Sequence, residues 1–202
     1  MIQIPRVAPR TIAEIESLAE AVVRQYQPSA LEQLIPFDVE GFFECELESL
    51  TGISTDVRVL PKGLDGYTDP GMRVCVISSL LYDNADDIVK YRRLRSTIAH
   101  EIGHCLLHVP NASERNELKG RFENDGNYPI ERYDPQDLRA FENPEWQAWR
   151  FASALLMPEV CFRRAVRVGW KMSTIQNAFE VNPSFVESRK NQLSIPQNIR
   201  KG

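Results

Sequence analysis

The sequence predicts an α+β fold, a small and mainly antiparallel sheet packed against helices, and three observations predict it. Apolar residues recur at helical spacing near the start of the chain and again over its last third. Three short strand-like runs bounded by Gly and Pro turns cluster between residues 56 and 79. A long helical pattern follows, and its end, "HEIGHCLLH" (100–108), holds all three histidines of the chain.

The first helix is read in "TIAEIESLAEAVVRQY", where Thr11 and Glu14 stand at capping-box spacing. Ile12, Ile15, Leu18, Val22 and Tyr26 then repeat at helical spacing, and Pro28 helps to stop the helix. A second helix starts near Asp38, with Val39, Phe42, Phe43, Leu47 and Leu50 as its buried stripe and Gly52 as its C-terminal cap. "DVRVL" (56–60), "YT" (67–68) and "RVCVISS" (73–79) read as an antiparallel meander. A helix from Asn84 or Asp86 to His108 ends before Pro110.

Residues 110–134 are polar and rich in turn formers, a length that marks functional or lid-like connections. Asp134–Pro135 and Asn143–Pro144 each read as an N-cap followed by proline at the first helical position. The second launches "EWQAWRFASALLM", which Pro158 interrupts; two or three short helices then fill 159–193, before a frayed tail. We expect a single domain over 1–202: a core at about 36–158, an N-terminal helix at 11–27 and a C-terminal helical extension at 159–193.

Composition narrows the function classes. With 43% hydrophobic and 26% charged residues, the chain is built like an ordinary globular protein. A net charge of -4 argues against a dedicated nucleic-acid binder. The start "MIQIPRVAPR" has no signal-like apolar run, and no stretch approaches a membrane span, so a cytoplasmic location without membrane insertion is expected. Cys45, Cys75, Cys105 and Cys161 are scattered without metal-knuckle spacing and read as small buried thiols in a reducing compartment.

His100-Glu101-Ile102-Gly103-His104 is an H-E-x-x-H motif. Residues four apart on an α-helix share a face about 6 Å apart along the axis, so both imidazoles can converge on one ion. Glu101 lies to the side, in reach of water beside such an ion, where a general base belongs. Ile98, Ile102, Cys105 and Val109 form the main apolar face, while His100 and His104 lie largely opposite, beside Thr97, Gly103 and Leu107. Gly103 costs about 1 kcal/mol inside a helix, tolerable where another chain must pass close by. His108 is about 12 Å along the axis from His100, too far to share the ion. It is left with a supporting or substrate-facing role, or an interaction with the helix C-terminus.

A catalytic zinc takes three protein ligands and keeps one open position. With no fourth histidine, the third ligand is expected to be a carboxylate, from among Asp125, Glu131, Asp134, Asp137, Glu142, Glu145 and Glu159. Glu145 stands out, because its helix would place it on a face with Ala148, Trp149, Ala152 and Leu156. A carboxylate aimed at such a stripe is costly unless a cation meets it.

These residues resemble the ImmA/IrrE family of zinc-dependent metallopeptidases. "RSTIAHEIGHCLLH" is similar to its active-site helix, and "EWQAWRFASALLMP" to its second signature, a glutamate before an alanine-rich helix. The upstream "PFDVEGFFECELESLTGI", "GYTDP" and "RVCVISS" fit its order of elements, so the likeness covers about 36–158. Trp149, often Asn in the family, and the long 110–134 connection depart from it. The resemblance implies a zincin-like fold, one zinc ion held by His100, His104 and Glu145, and Glu101 as catalytic base. Tyr67 and His108 are candidates to assist. It further implies hydrolysis of a protein substrate, with a helix-turn-helix repressor or an antitoxin-like regulator as candidates.

Two rival readings remain: a metal-binding regulatory module that docks a protein without cleaving it, and a DNA-binding unit at 173–192. The latter would have Ser173 and Asn182 as caps and only Arg189 and Lys190 as cations on its second helix.

Overall fold

The computed structural model describes residues 4–5, 7–109, 132–133 and 138–196. In chain order the elements are β1 (Ile4–Pro5), α1 (Ile12–Tyr26), α2 (Ser29–Gln33), α3 (Val39–Gly41), a π-helical turn (Phe42–Glu46) and α4 (Leu47–Thr51). β2 (Ser54–Arg58), β3 (Gly66–Asp69), β4 (Val74–Ser78), α5 (Ser79–Tyr82) and α6 (Ile88–His108) follow. After β5 (Arg132–Tyr133) and a 3-10 turn (Ala140–Glu142) come α7 (Pro144–Leu156), α8 (Glu159–Arg167), α9 (Met172–Ala178) and α10 (Pro183–Gln192). The α+β class holds. The 110–134 connection and the Asp134–Pro135 helix start lie outside the described residues, apart from β5.

Local signals set most of the helix boundaries. Thr11 and Glu14 form the reciprocal capping box, Glu14 N–H donating to Thr11 Oγ1 at 3.2 Å and Thr11 N–H to Glu14 Oε2 at 2.7 Å. Asp38 caps α3, and Asp87 caps α6 by accepting from Val89 N–H and Lys90 N–H. Asn143 caps α7 with Pro144 at its first position. On the second helical run Val39, Phe42, Phe43 and Leu47 are buried, but Leu50 is 45% exposed, because the π-turn rotates the last turn away from the core.

The sheet departs from the expected meander. Its order is β2-β4-β3, with β2 parallel to β4 and β3 antiparallel to β4. β4 is buried along its whole length while β2 and β3 are partly exposed, so the most apolar run takes the centre and the β2–β3 connection crosses to the far edge. β2 also lies earlier than "DVRVL". Its register runs Ser54↔Val74 to Arg58↔Ser78, where β4 ends, so Val59 has no partner strand and is 81% exposed.

One core joins α1, α6, α7 and the C-terminal helices through Ile15, Val23, Ile98, Phe151, Phe162 and Val186, among others. Arg189 is fully buried; its guanidinium donates to both Glu16 carboxylate oxygens (2.5 and 2.7 Å) and to the Met157 carbonyl (2.8 Å), while Lys190 is 4% exposed. The two cations that a DNA-binding reading of 173–192 relies on are therefore turned inward. Ser173 lies inside α9, and the Asn182 side chain donates to the Val89 carbonyl instead of capping α10. Cys75, Cys105 and Cys161 are buried thiols as expected, but Cys45 is exposed on the outer side of the π-turn. Among the described residues no helix is long and apolar enough to cross a membrane.

Candidate metal centre

α6 is sandwiched between the sheet and α7, and two glycines permit that closeness. A Cβ on Gly103 would lie 3.1 Å from both Cα and O of Ala148, so the missing side chain lets α7 pass directly over the motif. A Cβ on Gly66 would lie 3.1 Å from Glu101 Cγ, so β3 can approach the other side of the helix. The motif turn is consequently buried: His100 is 7% and Glu101 5% exposed.

The α6–α7 packing brings Glu145, in the first turn of α7, against both imidazoles. His100 Nε2 lies 3.0 Å from His104 Nε2 and 3.2 Å from Glu145 Oε2, and His104 Nε2 lies 3.4 Å from Glu145 Oε1. His100, His104 and Glu145 form the one group of three or more potential ligands found among the described residues, with donor atoms all within 4.8 Å of one another. Ligand atoms about 2.0–2.1 Å from one tetrahedral ion lie about 3.3–3.4 Å apart, so two Nε2 atoms 3.0 Å apart and a carboxylate with one oxygen near each offer a donor set of the size and kind that zinc takes. The neighbouring imidazoles, His100 first, hold the Glu145 carboxyl well below the usual carboxylate range.

Glu101 meets β3 as well as the histidines. The Thr68 hydroxyl donates to Glu101 Oε2 at 2.8 Å. Burial raises the Glu101 pKa, opposed by His104, His100 and the Thr68 hydrogen bond. Next to this contact, the Cys75 thiol is pushed far above its ordinary range by its hydrogen bond with Cys105 and by burial, which keeps it an inert core group.

The model of the IrrE N-terminal-like domain family, Peptidase_M78, matches residues 90–191, which contain both the H-E-x-x-H helix and Glu145. The chain belongs to this family. Among solved structures, a Mycobacterium tuberculosis transcriptional regulator is similar at a TM-score of 0.55 and 14% identity, over 93% of this chain and 49% of that one. That is a likeness of fold, and this chain spans about half the length of that protein. Comparison with curated proteins gives no match. Membership of the IrrE N-terminal-like family points to metal-dependent peptidase chemistry.

Of the other candidate ligands, the two among the described residues do not join the centre. Glu142 is buried but is not one of the three grouped donors, and Glu159 pairs with Arg163 at 2.6 Å. Asp125, Glu131, Asp134 and Asp137 lie outside the described residues. Tyr67 packs with Leu60, Val74 and Val76 on the opposite face of β3 from Thr68, so it does not point at the motif helix. His108 contacts His104 and not the centre, its Nδ1 3.0 Å from His104 Nδ1; burial lowers its pKa to about 4.

Sequence reasoning missed two partners in this IrrE N-terminal-like site. Thr68 lies on a strand upstream of the matched region, and only strand alternation marks it as facing Glu101. Gln147 is fully buried in a mainly apolar stretch of α7, and His108 Nε2 lies 3.1 Å from its Oε1. Trp149, which is 43% exposed, lies over His100 with ring centroids 4.1 Å apart.

Proposed function

We propose that the chain is a metalloendopeptidase in which His100, His104 and Glu145 hold one divalent ion, zinc by donor type, and Glu101 is the general base. The observation that carries this reading is the convergence of two imidazole Nε2 atoms, 3.0 Å apart, on one carboxylate, Glu145, whose Oε2 lies 3.2 Å from His100 and whose Oε1 lies 3.4 Å from His104. A bound ion there supplies Lewis-acid polarisation of a peptide carbonyl and lowers the pKa of water.

The chain's own residues supply the proton transfers. Thr68 holds Glu101 by Oε2, which leaves Oε1 to take a proton from the attacking water. As the C–N bond breaks, Glu101 returns that proton to the departing amine nitrogen. Trp149 shields the ring of His100 while leaving its own outer face to solvent and substrate.

The substrate class is a protein, with a helix-turn-helix repressor or antitoxin-like regulator as the candidate; the fold's likeness to a transcriptional regulator agrees with a regulatory setting. The four free cysteines support a cytoplasmic location, and the linked packing of α1, α6, α7 and the C-terminal helices supports a single domain.

Zinc content and cleavage of an unstructured peptide library test the reading on wild-type, Glu101→Gln and His104→Ala proteins. The first variant should keep zinc and lose cleavage, and the second should lose both. Undiminished proteolysis by Glu101→Gln refutes the base assignment. Zinc binding with no cleavage by wild type, on the library or on a repressor encoded beside it, favours a regulatory module instead.

A further inference from the structure

We propose that His108 and Gln147 are positioning residues that fix the tautomer of His104 and so decide which of its nitrogens is free to face the centre. The proton order follows from acceptors that cannot change. Gln147 is fully buried, and its Nε2 donates to the main-chain carbonyls of Ala8 at 2.9 Å and Phe141 at 2.7 Å. Those two oxygens take both amide hydrogens, so Gln147 can present only Oε1 to its third neighbour. That neighbour is His108 Nε2 at 3.1 Å, which must therefore carry the ring proton.

A singly protonated imidazole with its proton on Nε2 is bare at Nδ1. His108 Nδ1 lies 3.0 Å from His104 Nδ1, so a neutral His104 ring donates there and leaves its own Nε2 without a proton. It is this bare Nε2 that lies 3.0 Å from His100 Nε2 and 3.4 Å from Glu145 Oε1. Two backbone carbonyls more than 130 residues apart thus determine, through two side chains, the lone pair that a metal ion would use. The opposite tautomer of His104 would aim an N–H into the centre and block ligation. The same chain of bonds also locks the ring's rotation, and outer partners of this kind typically support metal affinity by about 10–100-fold.

The consequence for metal binding rests on the metal reading proposed above, whereas the tautomers are a property of the metal-free protein. Because the chain has only three histidines, long-range proton–nitrogen correlation spectra of nitrogen-15-labelled, metal-free protein at neutral pH can resolve each ring. His104 should be protonated at Nδ1 and His108 at Nε2. His104 protonated at Nε2, or exchanging freely between the two forms, overturns the proposal.

Zinc affinity, from competition with a chromophoric chelator, provides the second readout. His108→Phe should bind about 10–100-fold more weakly than wild type, while His108→Asn, whose amide oxygen can stand in for Nδ1, should recover much of that loss. Equal affinities for both variants, whether unchanged or equally weakened, refute the relay. Should His108→Phe fail to fold, the wild-type tautomers still decide. Wild-type protein with His104 protonated at Nδ1 and His108 at Nε2 that nevertheless binds no zinc overturns the metal reading and leaves the relay standing.

Discussion

Replacing Gly103 with alanine adds a single methyl group between α6 and α7, at the point where the motif helix meets the helix that carries Glu145. An ideal Cβ there would sit 3.1 Å from Ala148 Cα and O and 3.2 Å from Phe151 Cδ1. Carbon atoms pack best at about 3.5–4.0 Å, so α7 would have to retreat by about 0.4–0.9 Å. Two of those three contacts are to main-chain atoms, so no rotamer change relieves them. Alanine gains about 1 kcal/mol of helix propensity, and overpacking costs about 1–3 kcal/mol. The net destabilisation is about 0–2 kcal/mol, a fall of no more than about 8 °C in Tm for a chain of this size.

The centre should suffer more than the fold. Glu145 moves with α7, and its 3.2 and 3.4 Å spacings to the imidazoles would open by more than the tolerance of about 0.2 Å that a metal site allows. We expect Gly103→Ala to fold, to melt at or a few degrees below wild type in EDTA, and to bind zinc at least about tenfold more weakly. Chelator competition and thermal melts read both quantities. A variant that melts higher by the full propensity gain and binds zinc normally would show that the close helix approach is not what glycine serves.

Three further outcomes follow from the same geometry. Burial raises the Glu101 pKa, so the folded state holds that proton more tightly than the unfolded chain does; the stability this gives is present at acid pH and lost as pH rises through the folded value. Metal-free Glu101→Gln should therefore melt above wild type at pH 7, with the gap closing near the ordinary glutamate pKa of about 4.3; a gap independent of pH contradicts this. Thr68→Val removes a hydrogen bond that lowers the Glu101 pKa, so the acid limb of kcat/KM should move to higher pH, and a static or lowered limb would count against Thr68 as its partner. A quenching ion such as Cu2+ should dim Trp149, 4.1 Å from the His100 ring, and Trp149→Phe should lose most of that response; a retained response would place the ion elsewhere.

The two helices that build the centre could be read from sequence because their signals are local. Histidines one turn apart, an Asn–Pro start and a carboxylate beside small residues all lie within single elements. Gly103 could be read too, as a cost that only a close neighbour explains, and α7 is that neighbour. The strand order was less accessible, since pairing β2 with β4 skips a strand and depends on contacts between distant residues. Even so, the unbroken apolar run of β4 carried a usable signal for the central position. Thr68 and Gln147 left almost none, because their roles depend on which polar atoms of other elements happen to face them.

The Ala8 carbonyl lies on the far side of the molecule's sequence from the motif, and it has company: Val7 N–H donates to the Glu142 carbonyl and Arg10 N–H to that of Phe141. Residues 7–10 thereby staple the approach to α7, and α1 forms part of its apolar bed through Ile15, Ala19 and Val22. A fragment trimmed to the family-matched span, 90–191, would keep His100, Glu101, His104 and Glu145 yet shed this staple and bed. Engineers who graft or fuse the family-matched span should carry the first two dozen residues along with it.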